Sequence, residues 1–179
     1  MAPSSLQSTS SQQILCGIDG SDRSAKAAAV ATELARKLGA DLIFAMVNPR
    51  LAARAAIVYH WPDTHIAGIL EKAVRKALWR GAASVRGETW RAESISDALA
   101  DYADRNEIDY IVIGTSDRLG WPRFLSDSVA HELPVKATCP ILIVNNLRDD
   151  APTRRGGRLR DLFEFQPSLT PRRVTARVR

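Results

Sequence analysis

Apolar residues along this chain follow two alternating patterns. Short, nearly unbroken apolar runs occur at about 14–18, 41–47, 108–113 and 140–145. Runs of that length without polar alternation fit strands covered on both faces. Between them, apolar residues recur every three or four positions, the spacing of a helix face. The first such stretch, about 24–38, aligns Ala27, Val30, Ala31, Leu34 and Leu38, leaves Glu33, Arg36 and Lys37 largely outside, and offers Gly39 as a C-cap. Asn48-Pro49 is expected to end the second strand. Residues 50–63 are Ala-rich, then aromatic at Tyr59 and Trp61, and read as a loop with some helical turn. A second helix should start near Thr64, capped by Asp63 or Thr64. Its inner stripe is Ile66, Ile69, Leu70, Ala73, Val74, Ala77 and Leu78, with Lys72, Arg75 and Lys76 as a solvated face. The weakest strand lies within 83–92, where Thr89 and Trp90 suit an edge strand. Ser94 with Asp97 resembles a capping box opening a third helix, whose inner face is Ile95, Leu99, Tyr102 and Ala103. A last helix, about 126–135, should be shortened or bent by Pro134.

This order, βαβαβαβαβ, predicts an α/β protein: a doubly wound, five-stranded parallel sheet with helices on both faces. The predicted domain spans 13–146. A Ser/Gln-rich segment, 1–12, is expected to be disordered, and residues 147–179, rich in Arg, Gly, Pro and Thr, read as a flexible basic tail.

Composition changes this picture little. The chain of 179 residues is 45% hydrophobic and 25% charged, as in an ordinary globular protein. Its apolar runs are far too short to cross a bilayer, and its N-terminus lacks the apolar core of a secretory signal. Cys16 and Cys139 fall in or beside core strands and read as free thiols of a reducing compartment, so a cytoplasmic location is expected. Charge is more informative. From Arg148 onward, nine arginines face four acids, which accounts for the whole net charge of +5. The rest is formally neutral, so nucleic acid is not an expected partner of the folded domain.

The candidate chemistry lies at two turns. The segment ILCGIDGSDRS, 14–24, is a buried strand turning at once into a helix through Asp19, Gly20 and Ser21. A second turn of this kind follows the fourth strand at Gly114, Thr115 and Ser116. In open α/β sheets, ligands sit at such turns, beyond the carboxyl ends of strands. His60, His65 and His131 are scattered, and their spacing defends neither a catalytic triad nor a metal site.

Three blocks carry a resemblance: ILCGIDGSDRSAKAAAVATELARKLGADLIFAMV, ALADYADRNEIDYIVIGTSDR and DSVAHELPVKATCPILIV. Together they resemble the universal stress protein family over most of 14–145, while about 50–92 matches only in pattern. The resemblance implies strand order 3-2-1-4-5, with a crevice between strands one and four. It also implies a homodimer paired along the strand at 140–145, whose apolar edge would otherwise be an aggregation liability. ATP-holding members carry G-x2-G-x9-G-[ST] after strand four. Glycines there let backbone N–H groups approach phosphates, and the hydroxyl sits at a helix N-terminus that favours an anion. In this chain Gly114 and Ser128 keep the first and last positions, but Asp117 and Asp127 replace the other two glycines. By the resemblance, Asp19 contacts the nucleoside and the backbone at Val47 meets adenine. Gly20, Ser21 and Thr115 are further nucleotide candidates, and Arg118 would offset part of the acidic charge.

Each candidate also has a plainer reading. Asp19, Gly20 and Ser21 suit turn chemistry, Val47 suits a core strand, and Thr115 and Ser116 satisfy backbone groups equally well. Asp127 suits a helix cap, and Trp121 in the following loop reads as an apolar anchor or a pocket cover. The expected function is therefore a dimeric stress-response binding or regulatory module with a degenerate nucleotide pocket, without an assigned catalytic residue. One alternative is a member that binds ATP, with Mg²⁺ bridging carboxylate and phosphate, and hydrolyses it slowly or phosphorylates itself. Another is an interaction scaffold acting through the tail, with Leu159, Leu162, Phe163 and Phe165 as anchors amid arginines and with an unidentified protein, acidic membrane or RNA as partner.

Overall fold

The computed structural model describes residues 11–52, 57–115 and 127–145. Ten elements follow in order: β1 (Gln13–Gly17), α1 (Asp22–Leu38), β2 (Asp41–Ala52), β3 (Ile57–Tyr59), α2 (Asp63–Trp79), β4 (Ser84–Ala92), α3 (Ile95–Arg105), β5 (Tyr110–Thr115), α4 (Asp127–Lys136) and β6 (Ile141–Asn145). Five strands run parallel in the order β4-β2-β1-β5-β6. Counting only these five, the order is 3-2-1-4-5, and β4 is the edge strand expected from the sequence.

Alternate residues of the central strands feed two cores. Ile14, Cys16, Leu42, Phe44, Met46 and Val112 pack under α1 and α2. Leu15, Ile43, Ala45, Val47, Ile111 and Ile113 face α3 and α4. Both faces are therefore buried, which is why these strands read as unbroken apolar runs. β1 and β5 are neighbours in register, Ile14 opposite Tyr110 and Cys16 opposite Val112. Their following helices, α1 and α4, lie on opposite faces, which opens the crevice of a doubly wound sheet.

Several boundaries differ from expectation. Asn48-Pro49 does not end β2, which runs on to Ala52 and pairs antiparallel with β3. Ala45 accepts a hydrogen bond from the Ile18 N–H at 2.8 Å, so backbone groups at alternate positions, including Pro49, face the β1 side. β1 has ended there, so the N–H that proline lacks is not needed for pairing. The Pro49 carbonyl instead accepts from His60 N–H at 3.2 Å. Helix α2 begins after Pro62 as N-cap, without a side-chain cap. Asp63 is not that cap; its carboxylate takes Arg91 from β4 at 2.9 and 3.1 Å. Leu38 and Leu78, counted on the inner stripes, are exposed at the last turns of α1 and α2. Helix α4 continues to Lys136 past Pro134. Ser94 does cap α3, accepting from Asp97 N–H at 3.2 Å. Both cysteines are free, Cys16 buried and Cys139 half-buried. Among the described residues, no helix is long and apolar enough to cross a membrane.

Candidate functional site

The first turn is built by its own side chains. Asp19 Oδ1 accepts the Ser21 N–H at 2.9 Å and the Ser21 hydroxyl at 2.5 Å. Ser21 is the N-cap of α1, its Oγ accepting from Ser24 N–H at 3.2 Å. The Ser24 hydroxyl donates back to the Ser21 carbonyl at 3.0 Å. Asp19 thus holds the cap without being the cap. Gly20 has φ +79°, and a Cβ there would lie 2.6 Å from Ile69 Cδ1 on α2. The left-handed backbone favours glycine, whereas the Ile69 tip could turn aside for a Cβ.

The opposite wall is the end of β5. A Cβ on Gly114 would lie 2.8 Å from the Arg23 carbonyl oxygen and 3.0 Å from its carbon. The strand end presses directly on backbone in the first turn of α1, so close packing alone demands glycine at this position. Val47 is buried and pairs with Trp90 of β4. It lies two residues beyond Ala45, so its backbone groups share that residue's orientation toward the β1 side. Asp19, Gly20, Ser21, Val47 and Gly114 therefore gather at the carboxyl end of the sheet. Thr115 closes β5, while Asp127 and Ser128 are the first two residues of α4. Ser116, Asp117, Arg118 and Trp121 lie outside the described residues, as do 1–10 and the tail.

Other polar groups near this end serve the fold. Asn48, 1% exposed, donates to the Trp61 carbonyl at 2.8 Å and accepts from Trp61 N–H at 3.1 Å. Arg91 lies over the Tyr59 ring at 4.5 Å, and Arg50 pairs with Glu93. His60 stands edge-on to Trp61, with centroids 4.3 Å apart. Among the described residues, no cluster suits a metal ion. On the other face, Ser96 is buried and donates to Glu132 at 2.5 Å. Lys136 reaches Ser96 at 3.0 Å, Glu132 at 3.1 Å and Asp97 at 2.6 Å. These bonds hold the Asp97 and Glu132 carboxyls below their ordinary range and raise the Lys136 ammonium: Lys136 acts first on Asp97, Ser96 on Glu132, and Asp97 on Lys136. The group ties α3 to α4. Sequence spacing gave no sign of it, because Ser96 and Glu132 are 36 positions apart.

A doubly wound sheet with a polar turn at its switch point belongs to the α/β proteins that take ligands at strand ends. More narrowly, this chain belongs to the universal stress protein family, whose model matches residues 10–145. Universal stress protein YxiE of Bacillus subtilis is 31% identical over 147 residues, spanning 74% of this chain and 97% of that protein. A universal stress protein crystallised in complex with cAMP is 26% identical, with a TM-score of 0.58 over 76% of this chain and 98% of that one. UspA from Lactobacillus plantarum shares the fold, at 20% identity and a TM-score of 0.61, covering 74% of this chain and 97% of that one.

Proposed function

We propose that this chain is a binding or regulatory module of its family, with a nucleotide crevice degraded for triphosphates and without a dedicated catalytic role. The observation that carries this reading is the pair Asp117 and Asp127, standing where ATP-holding members have glycine. A carboxylate 4 Å from one phosphate charge costs about 1 kcal/mol in water and about 4 kcal/mol at an effective dielectric near 20. Asp127 is also the first residue of α4, the helix whose N-terminal N–H groups would receive the phosphate in this reading. A triphosphate meets this repulsion several times over, and a monophosphate far less. The Asp19 turn and the Val47 backbone, which face the nucleoside in this reading, do not share the defect. The relative seen with cAMP agrees with retention of a singly charged nucleotide.

Equilibrium binding of labelled ATP, with and without Mg²⁺ and beside AMP and cAMP, tests this. The expected result is ATP weaker than either monophosphate by about tenfold or more. Asp117→Gly with Asp127→Gly should recover ATP binding. Micromolar affinity of the parent for ATP would overturn the reading.

We further propose that the protein is a homodimer paired through β6. The support is an edge strand bonded only to β5 among the described residues, with Leu142 and Ile143 more than a third exposed. Sedimentation of Ile143→Lys should then show a monomer. The tail supports a separate role, because it holds the net charge and lies beyond the residues that match the family. Removing residues 147–179 should abolish any partner capture that depends on it and leave the domain folded.

A further inference from the structure

Between α1 and α2 lies a cleft of about 170 Å³ that borders the first turn at Gly20 and Ser21 and extends along both helices toward Arg80. Phe44 lies beneath it, fully buried on the sheet, and its α1 wall is made of small residues: Ala25, Ala28, Ala29 and Thr32. The α2 wall carries Ile69 and Ala73, with Lys72, Lys76 and Arg80 as polar lining. Those three cations are four positions apart, one helical turn, so they run along the cleft. None of the three side chains has an ion pair or hydrogen bond among the described residues. Neighbouring cations do: Arg75 pairs with Glu71 at 3.5 Å and Arg36 with Glu33 at 2.7 Å. The whole face shares this bias. Helices α1 and α2 with Arg80 carry eight cations against four acids, whereas residues 95–109 with α4 carry two against seven.

We propose that this cleft binds a free, single-chain anionic amphiphile: an alkyl or acyl chain against Ala28, Ile69 and Ala73, ending in a carboxylate or phosphate held by Lys72, Lys76 and Arg80. A cavity of roughly 150 Å³ lined by apolar groups accepts a benzene-sized molecule, so the cleft takes one segment of a chain and leaves the rest of a longer one along its open side. A peptide helix, about 10 Å across, is too wide to reach the floor between two packed helices. A lipid would have to leave its bilayer to fill it. An anionic head gains from cations that the fold leaves unmatched, and an alcohol or ammonium head does not.

Calorimetric titration of the full chain tests this, with decanoate and decyl phosphate below their micelle concentrations, beside decanol and decyltrimethylammonium. Saturable binding of an anionic probe, tighter than decanol by about tenfold or more, is expected. Lys72→Gln with Lys76→Gln and Arg80→Gln should lose that advantage, leave decanol unchanged and preserve the unfolding midpoint. Ala28→Leu should block both probes by filling the cleft, and Ala73→Leu does the same from the facing wall if the first variant fails to fold. ATP and AMP affinities should be unaffected by the glutamine triple, which separates this site from the switch-point crevice. The proposal falls if neither anionic probe binds saturably, if decanol matches them, or if the triple variant binds unchanged. Co-sedimentation with phosphatidylglycerol vesicles without monomer binding would assign the cations to a lipid surface and overturn it as well.

Discussion

Gly114 tests whether packing or ligand keeps a glycine at the crevice. An alanine there places Cβ 2.8 Å from the Arg23 carbonyl oxygen and 3.0 Å from its carbon. Close carbon–oxygen contacts in proteins fall at about 3.3–3.6 Å. Strand or helix must therefore move by about half an ångström. Neither yields easily, since Arg23 lies in a first turn fixed by Ser21 and Ser24, and β5 is bonded on both sides. Overpacking of this kind costs about 1–3 kcal/mol, and the reduced freedom of the unfolded chain returns about 0.4–1 kcal/mol. The net loss is about 1–2 kcal/mol. With a urea slope near 2 kcal/mol per molar, the midpoint should fall by about 0.5–1 M. Gly17→Ala is the control. Its nearest neighbours are side-chain atoms, Ile113 Cγ2 at 3.3 Å and Leu99 Cδ1 at 3.5 Å, which can turn aside. A midpoint unchanged in Gly114→Ala, or lowered no more than in Gly17→Ala, would refute the packing argument. If it holds, weaker nucleotide binding in a Gly114 variant does not diagnose a phosphate contact, because the wall itself has shifted.

Other expectations follow from single contacts. Asn48→Ala leaves the Trp61 N–H and carbonyl without their partner, and thermal unfolding should report a loss of about 1–3 kcal/mol; an unchanged midpoint would mean that water replaces the side chain at no cost. Asp97 and Glu132 titrate below their ordinary values in the folded state, so their stabilisation is present at neutral pH and fades as pH falls through the carboxylate range. Lys136→Met should therefore be less stable than the parent at pH 7, with a gap that narrows toward about pH 3; a gap constant with pH would contradict this. Burial pushes the Cys16 thiol far above its ordinary range, so it should resist a thiol reagent in the native state and react only after urea.

Sequence reading succeeded where a residue's role depended on near neighbours or on burial of a whole strand. The run from Leu42 to Val47 is apolar throughout because both of its faces are covered, and the Ser94 cap is a local bond to Asp97. It failed where distant partners decided. Pro49 looked like a stop, but the end of β1 removed the need for its missing N–H, and Asn48 was claimed by Trp61 thirteen positions on. Asp63 looked like a cap until Arg91 of β4 took its carboxylate. Lys72 and Lys76 read correctly as exposed, yet nothing local shows that they border a cleft, since its depth depends on the separation of α1 and α2. At the candidate site, the Asp19-Gly20-Ser21 turn was clear from its own residue types.

The same distinction decides what the crevice says about ligands. Gly20 is dictated by its positive φ, Ser21 by the helix it caps, and Gly114 by the Arg23 backbone. A fold that had lost every nucleotide would keep all three, so their presence argues for the architecture and is silent on occupancy. Informative positions are those where the fold has no stake and a phosphate does. Asp127, the first residue of α4, is a weaker case, because an acid suits a helix start as well as it opposes an incoming triphosphate. Asp117 adds a second charge at another motif glycine. The proposed loss of triphosphate binding thus needs no change in the sheet, the turns or the core. On the proposed reading, acids at two motif glycines would leave the scaffold intact and change only which anion it admits.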